Sequence, residues 1–160
     1  MILDLDRSRQ GRSQLDVDHL LPLEVAELAP GGIALDGRLT LDNLQNRLIL
    51  TGELTGKTTT SCDRCLEKFE LVFGIPVEIL ILRDTEQEDE EDTCVIHQRS
   101  GEVDLSAPLS ELALVALPQK RLCFEGCRGL CPQCGVNLNR KDCSCTHEDE
   151  DPRWADLPSE

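Results

Sequence analysis

An α+β fold is predicted: a curved antiparallel β-sheet, able to curl toward a barrel, with one covering helix and a cysteine-rich C-terminal segment. Three observations predict it. Residues 33–54 alternate apolar and polar side chains, residues 105–117 carry apolar side chains at helical spacing, and six of the nine cysteines crowd into the 23 residues from Cys123 to Cys145. Period-two alternation buries one face of a strand, and a three-to-four-residue repeat buries one stripe of a helix.

Residues 1–32 form an N-terminal arm. Leu20-Leu21-Pro22-Leu23 is its apolar anchor, and a short helical turn is expected near Glu24–Leu28 before Pro30-Gly31-Gly32 stops it. The β-rich body covers 33–118. Leu35, Leu39 and Leu41 alternate with Asp36, Arg38, Thr40 and Asp42, residues 43–46 turn, and Leu48 and Leu50 resume the alternation, which is a hairpin pattern. Gly52 and Gly56 are expected to mark bulges. The β-branched run Thr58-Thr59-Thr60 leads into Cys62-Asp63-Arg64-Cys65, and Phe69 to Leu82 reads as two short strands or one strand bent at Gly74 and Pro76.

Residues 84–92 hold seven acids in nine positions and read as a solvated loop. One more strand is expected at Thr93–His97. Asp104 or Ser106 then caps a helix over about 105–117, with Pro108 in its first turn and Leu105, Leu109, Leu112 and Ala116 on the covering stripe. The Cys-rich segment is 119–147. An acidic tail, 148–160, is expected to dock through Trp154 and Leu157.

Bulk properties narrow the function classes. The chain has 16 Lys and Arg against 31 Asp and Glu, a net charge of −15, which opposes sequence-independent binding to nucleic acid. Three Phe and one Trp leave a core of Leu, Val, Ile and Ala and no base-stacking platform. The start, Met1-Ile-Leu-Asp-Leu-Asp-Arg7, has no basic-then-apolar leader, and the apolar stretch Ile75–Leu82 is broken by Pro76 and Glu78. A cytoplasmic chain with no membrane partner is expected, and in a reducing compartment clustered thiols bind metal more often than they pair.

Eight cysteines fall into close pairs: 62/65, 123/127, 131/134 and 143/145. Each such turn supplies two thiolates, and a zinc ion takes four. The economical partition puts Cys131, Cys134, Cys143 and Cys145 on one ion and Cys62, Cys65, Cys123 and Cys127 on a second, leaving Cys94 as a buried, inert thiol. The C-terminal segment is then zinc-stapled to the body by one or two structural ions. A single zinc with unligated cysteines beside it, a Cys62-x-x-Cys65 redox pair and an iron–sulfur cluster are the alternatives. Lys120, Arg121, Arg128, Arg140 and Lys141 stand against Glu125 alone in residues 119–141. They either contact a partner or offset the thiolate charge. His19, His97 and His147 join no catalytic motif, and no phosphate loop or nucleophile elbow is present, so no enzyme and no small-molecule substrate are expected.

Gly101-Glu-Val-Asp-Leu105, the helix with Glu111, Leu117-Pro118, Cys123-x₃-Cys127-Arg-Gly-Leu-Cys131-Pro-x-Cys134-Gly-x-Asn-Leu-Asn139, Cys143-x-Cys145 and Asp151-Pro-Arg-Trp-Ala-x-Leu157, with Cys62-x-Arg-Cys65-Leu66 upstream, resemble the YceD family of large ribosomal RNA subunit accumulation proteins. The resemblance implies a non-enzymatic factor for accumulation or processing of 23S ribosomal RNA. Its partner would be the large-subunit ribosomal precursor, through a ribosomal protein or the RNA. The rival readings are a zinc-ribbon interaction module unrelated to ribosomes and a thiol enzyme using Cys62 and Cys65.

Overall fold

The computed structural model describes residues 1–6, 10–22, 31–44, 46–83, 94–98 and 101–145. The turn expected near Glu24–Leu28, the acidic run 84–92 and the docking of Trp154 and Leu157 lie outside them. In chain order the elements are β1 (Ile2–Asp4), β2 (Gly11–Leu21), β3 (Ile33–Asn43), β4 (Arg47–Ser61), β5 (Lys68–Leu82), β6 (Cys94–His97), β7 (Glu102–Asp104) and α1 (Ser106–Ala116). Among the described residues no helix is long and apolar enough to cross a membrane.

Strands β2 to β5 form an antiparallel meander, with β3 and β4 as its central hairpin. β6 then adds to β5 in parallel, from Ile79↔Cys94 to Leu82↔His97, so the sheet is mixed rather than wholly antiparallel. Its order is β2-β3-β4-β5-β6, and among the described residues β2 and β6 remain open edges. Among the described residues the sheet therefore does not close into a barrel. Closure needs an unbroken ring of strand pairs, whereas β6 has four residues and reaches only the C-terminal end of β5. Alternating burial looks the same along an open or a closed sheet, so the sequence pattern does not distinguish them.

Two expected irregularities are absent. Pairing of β4 with β3 and with β5 runs in unbroken register through Gly52, Gly56, Gly74 and Pro76, so there are no bulges and β5 is one strand of 15 residues. Gly52 is needed for another reason. It faces Leu39 across the ladder at φ +154°, and a Cβ there would sit 2.9 Å from Leu39 Cδ2 and 3.0 Å from the Arg38 carbonyl. The leucine lies where the missing side chain would be. Pro76 falls in the part of β5 beyond the reach of β6, where a lost N–H on that side breaks no ladder bond.

The inner face of the sheet makes one core: Leu35, Leu39 and Leu41 of β3, Leu48, Leu50 and Leu54 of β4, and the odd positions Ile75 to Ile81 of β5. Leu20–Leu23 is not the sole anchor of the N-terminal segment. Leu3, Leu5, Val17 and Leu21 are buried in the core, while Leu20 is 57% exposed. β1 escapes a periodicity reading because it has three residues and pairs with β7, with Ile2 opposite Asp104.

That small ladder delivers the chain to α1. Neither Asp104 nor Ser106 is the helix cap: Leu105 takes that position and makes no side-chain cap bond, while the Asp104 carboxylate one residue earlier accepts the Ser106 N–H at 2.9 Å. Leu105, Leu109 and Ala113, one turn apart, are fully buried, and α1 packs against β5. Leu112 and Ala116 flank this line half-buried. Leu117 turns to extended backbone ahead of Pro118 and sends the chain back along the sheet toward the β4–β5 turn.

Candidate metal centres

The β4–β5 connection, residues 62–67, is a tight thiol-bearing turn. The Cys62 N–H donates to the Glu67 carbonyl (2.9 Å), and the Leu66 N–H donates to the Cys62 carbonyl (3.0 Å). Closing it forces Leu66 to φ +61°, a left-handed conformation uncommon for a leucine. Five hydrogen bonds bring the segment after α1 to this turn. Arg121 donates its N–H to Asp63 Oδ2 (2.6 Å) and its guanidinium to Asp63 Oδ1 (2.8 Å). The Asp63 N–H returns a bond to the Arg121 carbonyl (2.8 Å). Arg64 donates to the Cys127 carbonyl (2.7 Å) and accepts from the Leu130 N–H (3.1 Å).

These contacts gather Cys62, Cys65, Cys123 and Cys127, whose sulfurs all lie within 4.8 Å of one another. Cys62 Sγ is 3.8 Å from Cys127 Sγ, and Cys65 Sγ is 3.6 Å from Cys123 Sγ. Such distances are far longer than a disulfide, about 2.05 Å. They suit a tetrahedral ion with metal–sulfur bonds of about 2.3 Å, whose ligand sulfurs stand roughly 3.8 Å apart. Cys62, Cys65 and Cys127 are buried, with Phe69 and Leu122 packed against them.

The second group is local. Cys131, Cys134, Cys143 and Cys145 also place their sulfurs within 4.8 Å of one another. Gly135 takes φ +71°, which lets its N–H reach the Cys131 carbonyl (2.9 Å), and the Cys134 N–H points at Cys131 Sγ (3.5 Å). An isolated antiparallel bridge, Leu130↔Asn137, ties the chain entering the turn to the chain leaving it. Cys131 is buried, Cys143 and Cys145 are half-buried and Cys134 is exposed, so this centre faces solvent more than the first.

The thiols are electrostatically tuned within each group. Burial alone would raise Cys62, but N–H donors from Cys65, Cys123 and Arg64 bring it down to about 6. The Cys134 N–H is the leading cause that brings Cys131 to about 6. Burial, then neighbouring thiols, pushes Cys123 up to about 12, and the Cys134 thiol does the same to Cys145. Each group thus holds one thiol that ionises readily beside one that its neighbours keep protonated. A divalent cation at the centre relieves that repulsion and suits all four as thiolates.

The basic residues of 119–141 are mostly matched. Arg121 pairs with Asp63, Arg128 with Asp142 (3.1 Å) and Arg140 with Glu67 (2.6 Å), while Lys120 and Lys141 are exposed. Carboxylates from the β4–β5 turn and the second centre's own loop are the partners, which a charge count confined to 119–141 omits. Cys94 belongs to neither sulfur group; it is half-buried, and burial followed by the Glu111 charge raises its pKa.

Sequence reasoning missed Asn139. Its side-chain amide donates to Cys127 Sγ at 3.3 Å, and its Oδ1 accepts the Arg128 N–H at 2.7 Å. The signal was the Asn137-Leu138-Asn139 run between two thiol pairs, where short amide side chains hold turns and reach nearby backbone.

A family model described as "Large ribosomal RNA subunit accumulation protein YceD" matches residues 50–159, more than half of the chain. The chain belongs to the YceD family. Both sulfur groups fall inside the part that matches the YceD model. An uncharacterized protein of Mycobacterium tuberculosis is 33% identical over 129 residues, covering 79% of this chain and 61% of that relative. One from Mycobacterium leprae is 28% identical over 127 residues, covering 74% and 55%. The chain therefore spans about three fifths of the curated mycobacterial relatives it matches. The chloroplastic "Large ribosomal RNA subunit accumulation protein YCED homolog 1" of Arabidopsis thaliana is 32% identical over 56 residues, 35% of this chain and 17% of its own length. No solved structure matches.

Proposed function

We propose that this chain is a non-enzymatic factor supporting accumulation of large-subunit ribosomal RNA during ribosome assembly, its C-terminal segment held to the β-rich body by two structural zinc ions. YceD membership carries the first half of this reading, supported by the name given to the family and to the Arabidopsis relative. The two four-sulfur groups carry the second. Four protein thiolates complete a tetrahedral ion and leave no open position for substrate or activated water, which suits scaffolding rather than hydrolysis. The same spacing favours a single ion over an iron–sulfur cluster, whose bridging sulfides hold its thiolates farther apart.

In this reading, the binding target is the large-subunit precursor. Lys120, exposed beside the first centre, and Lys141, exposed in the loop of the second, join the contact surface whether it meets a ribosomal protein or 23S RNA. The thiol-redox alternative is weak because Cys62 is fully buried and Cys65 nearly so, leaving no accessible thiolate to attack a partner's disulfide. Depleting the protein tests the assignment. Loss of 23S RNA relative to 16S, with the tagged protein sedimenting in large-subunit precursors, is the expected result; normal rRNA and an absence from those particles would overturn it. Crosslinking followed by sequencing and mass spectrometry then identifies the direct contact as RNA or protein.

A further inference from the structure

The two centres differ in how far they reach along the chain. The first joins Cys62 to Cys127, 65 residues apart, and Cys65 to Cys123, 58 apart. The second lies wholly within Cys131–Cys145. Drawing distant segments together costs more chain entropy than closing a short loop, so the local centre can organise its own loop first.

That loop reaches the surroundings of the distant centre through Arg140, paired with Glu67, and Asp142, paired with Arg128, but among the described contacts it reaches a ligating sulfur through Asn139. Within it the Asn137 carbonyl accepts the Arg140 and Lys141 N–H groups, both at 3.1 Å, and Asn137 Oδ1 accepts the Asn139 N–H and the Asn139 side-chain amide, both at 2.9 Å. Asn139 is thereby fixed with its second amide hydrogen on Cys127 Sγ (3.3 Å) and its Oδ1 on the Arg128 N–H (2.7 Å). The amide orientation follows from those partners, since a backbone N–H requires the oxygen and a thiolate favours the nitrogen. A hydrogen bond to a ligating sulfur disperses its charge and fixes its direction, and losing such a contact typically costs metal affinity.

The geometry points to Asn139 as a positioning residue that couples the two centres: metal at Cys131, Cys134, Cys143 and Cys145 orders the loop that presents Asn139 to Cys127, and so tightens metal binding at the first centre. The inference rests on the two-metal reading above. Because coupling between sites is reciprocal, metal at the first centre tightens the second by the same factor.

Zinc buffered over a range of free concentrations, with alkylation of Cys123 and Cys134 followed by mass spectrometry, reads the half-loading point of each centre. The unaltered chain is expected to load two ions. C131S/C134S, which removes the second centre, shifts half-protection of Cys123 to about 10–100-fold higher free zinc, the range typical of lost outer-shell contacts. Asn139→Ala in the full chain reproduces most of that shift, and adds less than about twofold within C131S/C134S because the two changes then share one route. Asn139→Asp keeps the acceptor for Arg128 but turns a carboxylate toward the sulfur, and weakens the first centre at least as much as alanine. Far-UV circular dichroism verifies that the sheet is intact in every variant. Two bound ions, with Cys123 loading unchanged by both Asn139 substitutions, would overturn the coupling. Fewer than two ions on the unaltered chain would overturn the metal reading, and the coupling with it.

Discussion

Arg121 and Asp63 grip each other through both backbone and side chain, at 2.6 Å from the Arg121 N–H and 2.8 Å from its guanidinium. The pair joins the tip of the β4–β5 hairpin to the chain leaving α1 and stands directly beside the buried Cys62. The leading cause holding the Asp63 carboxyl below its ordinary value of 3.8 is the Arg121 N–H, with the guanidinium adding to it. A group depressed in this way stabilises the fold above that ordinary value and loses its contribution as pH falls through the folded value. Asp63→Asn is expected to cost about 1 kcal/mol, a charged hydrogen bond discounted for partial exposure. It should flatten the acid limb of stability below pH 4, as urea denaturation at a series of pH values will measure. An unchanged acid limb would remove Asp63 from the account.

Metal binding should release protons. Cys65, Cys123, Cys143 and Cys145 are all raised above the ordinary thiol value of 9.0, two of them to about 12, and each must ionise to bind. Apparent zinc affinity is therefore expected to climb steeply with pH between 6 and 8. Calorimetric titration in two buffers of different ionisation enthalpy counts the protons directly. A pH-independent affinity contradicts this picture.

Thiol reactivity should separate the centres. Cys134 is exposed whereas Cys62, Cys65 and Cys127 are buried. Alkylation followed by mass spectrometry is expected to modify Cys134 at least tenfold faster than Cys62, since exposure governs access. Equal rates would mean that the first centre opens as easily as the second.

Gly52→Ala tests the leucine-over-glycine contact. With Leu39 Cδ2 at 2.9 Å and the Arg38 carbonyl at 3.0 Å from the added methyl, and φ at +154°, the substitution should cost about 1–3 kcal/mol by overpacking. Gly31, with open space around its would-be Cβ, is the control, and Gly31→Ala should change the denaturation midpoint little. A neutral Gly52→Ala would show that β3 can shift to make room.

What was legible in the chain follows from range. Leu35 to Leu50 announces the β3–β4 hairpin because alternation and turn lie within one short window. The cysteine pairs announce thiol groups that could hold metal because ligand spacing is local chemistry. Ile2↔Asp104 is invisible to any window, since three residues carry no period and the partner lies some hundred positions on. The parallel seat of β6 is likewise a tertiary choice, for its four residues read as a strand in either direction. Asn139 fell between these cases. The residue was conspicuous beside the thiols, but its target, Cys127, is set by how one turn folds back on another.

The long reach of the first centre also imposes an order of manufacture. Synthesis runs from the N-terminus, so Cys62 and Cys65 leave the ribosome well before Cys123 and Cys127 exist. For that interval the hairpin tip carries two thiols, half of the first four-sulfur group. The sheet can pair strand by strand as it emerges, but the staple closes only after α1 and the chain beyond it have been made. A nascent chain stalled before residue 123 therefore displays a two-cysteine chelate that the finished molecule hides.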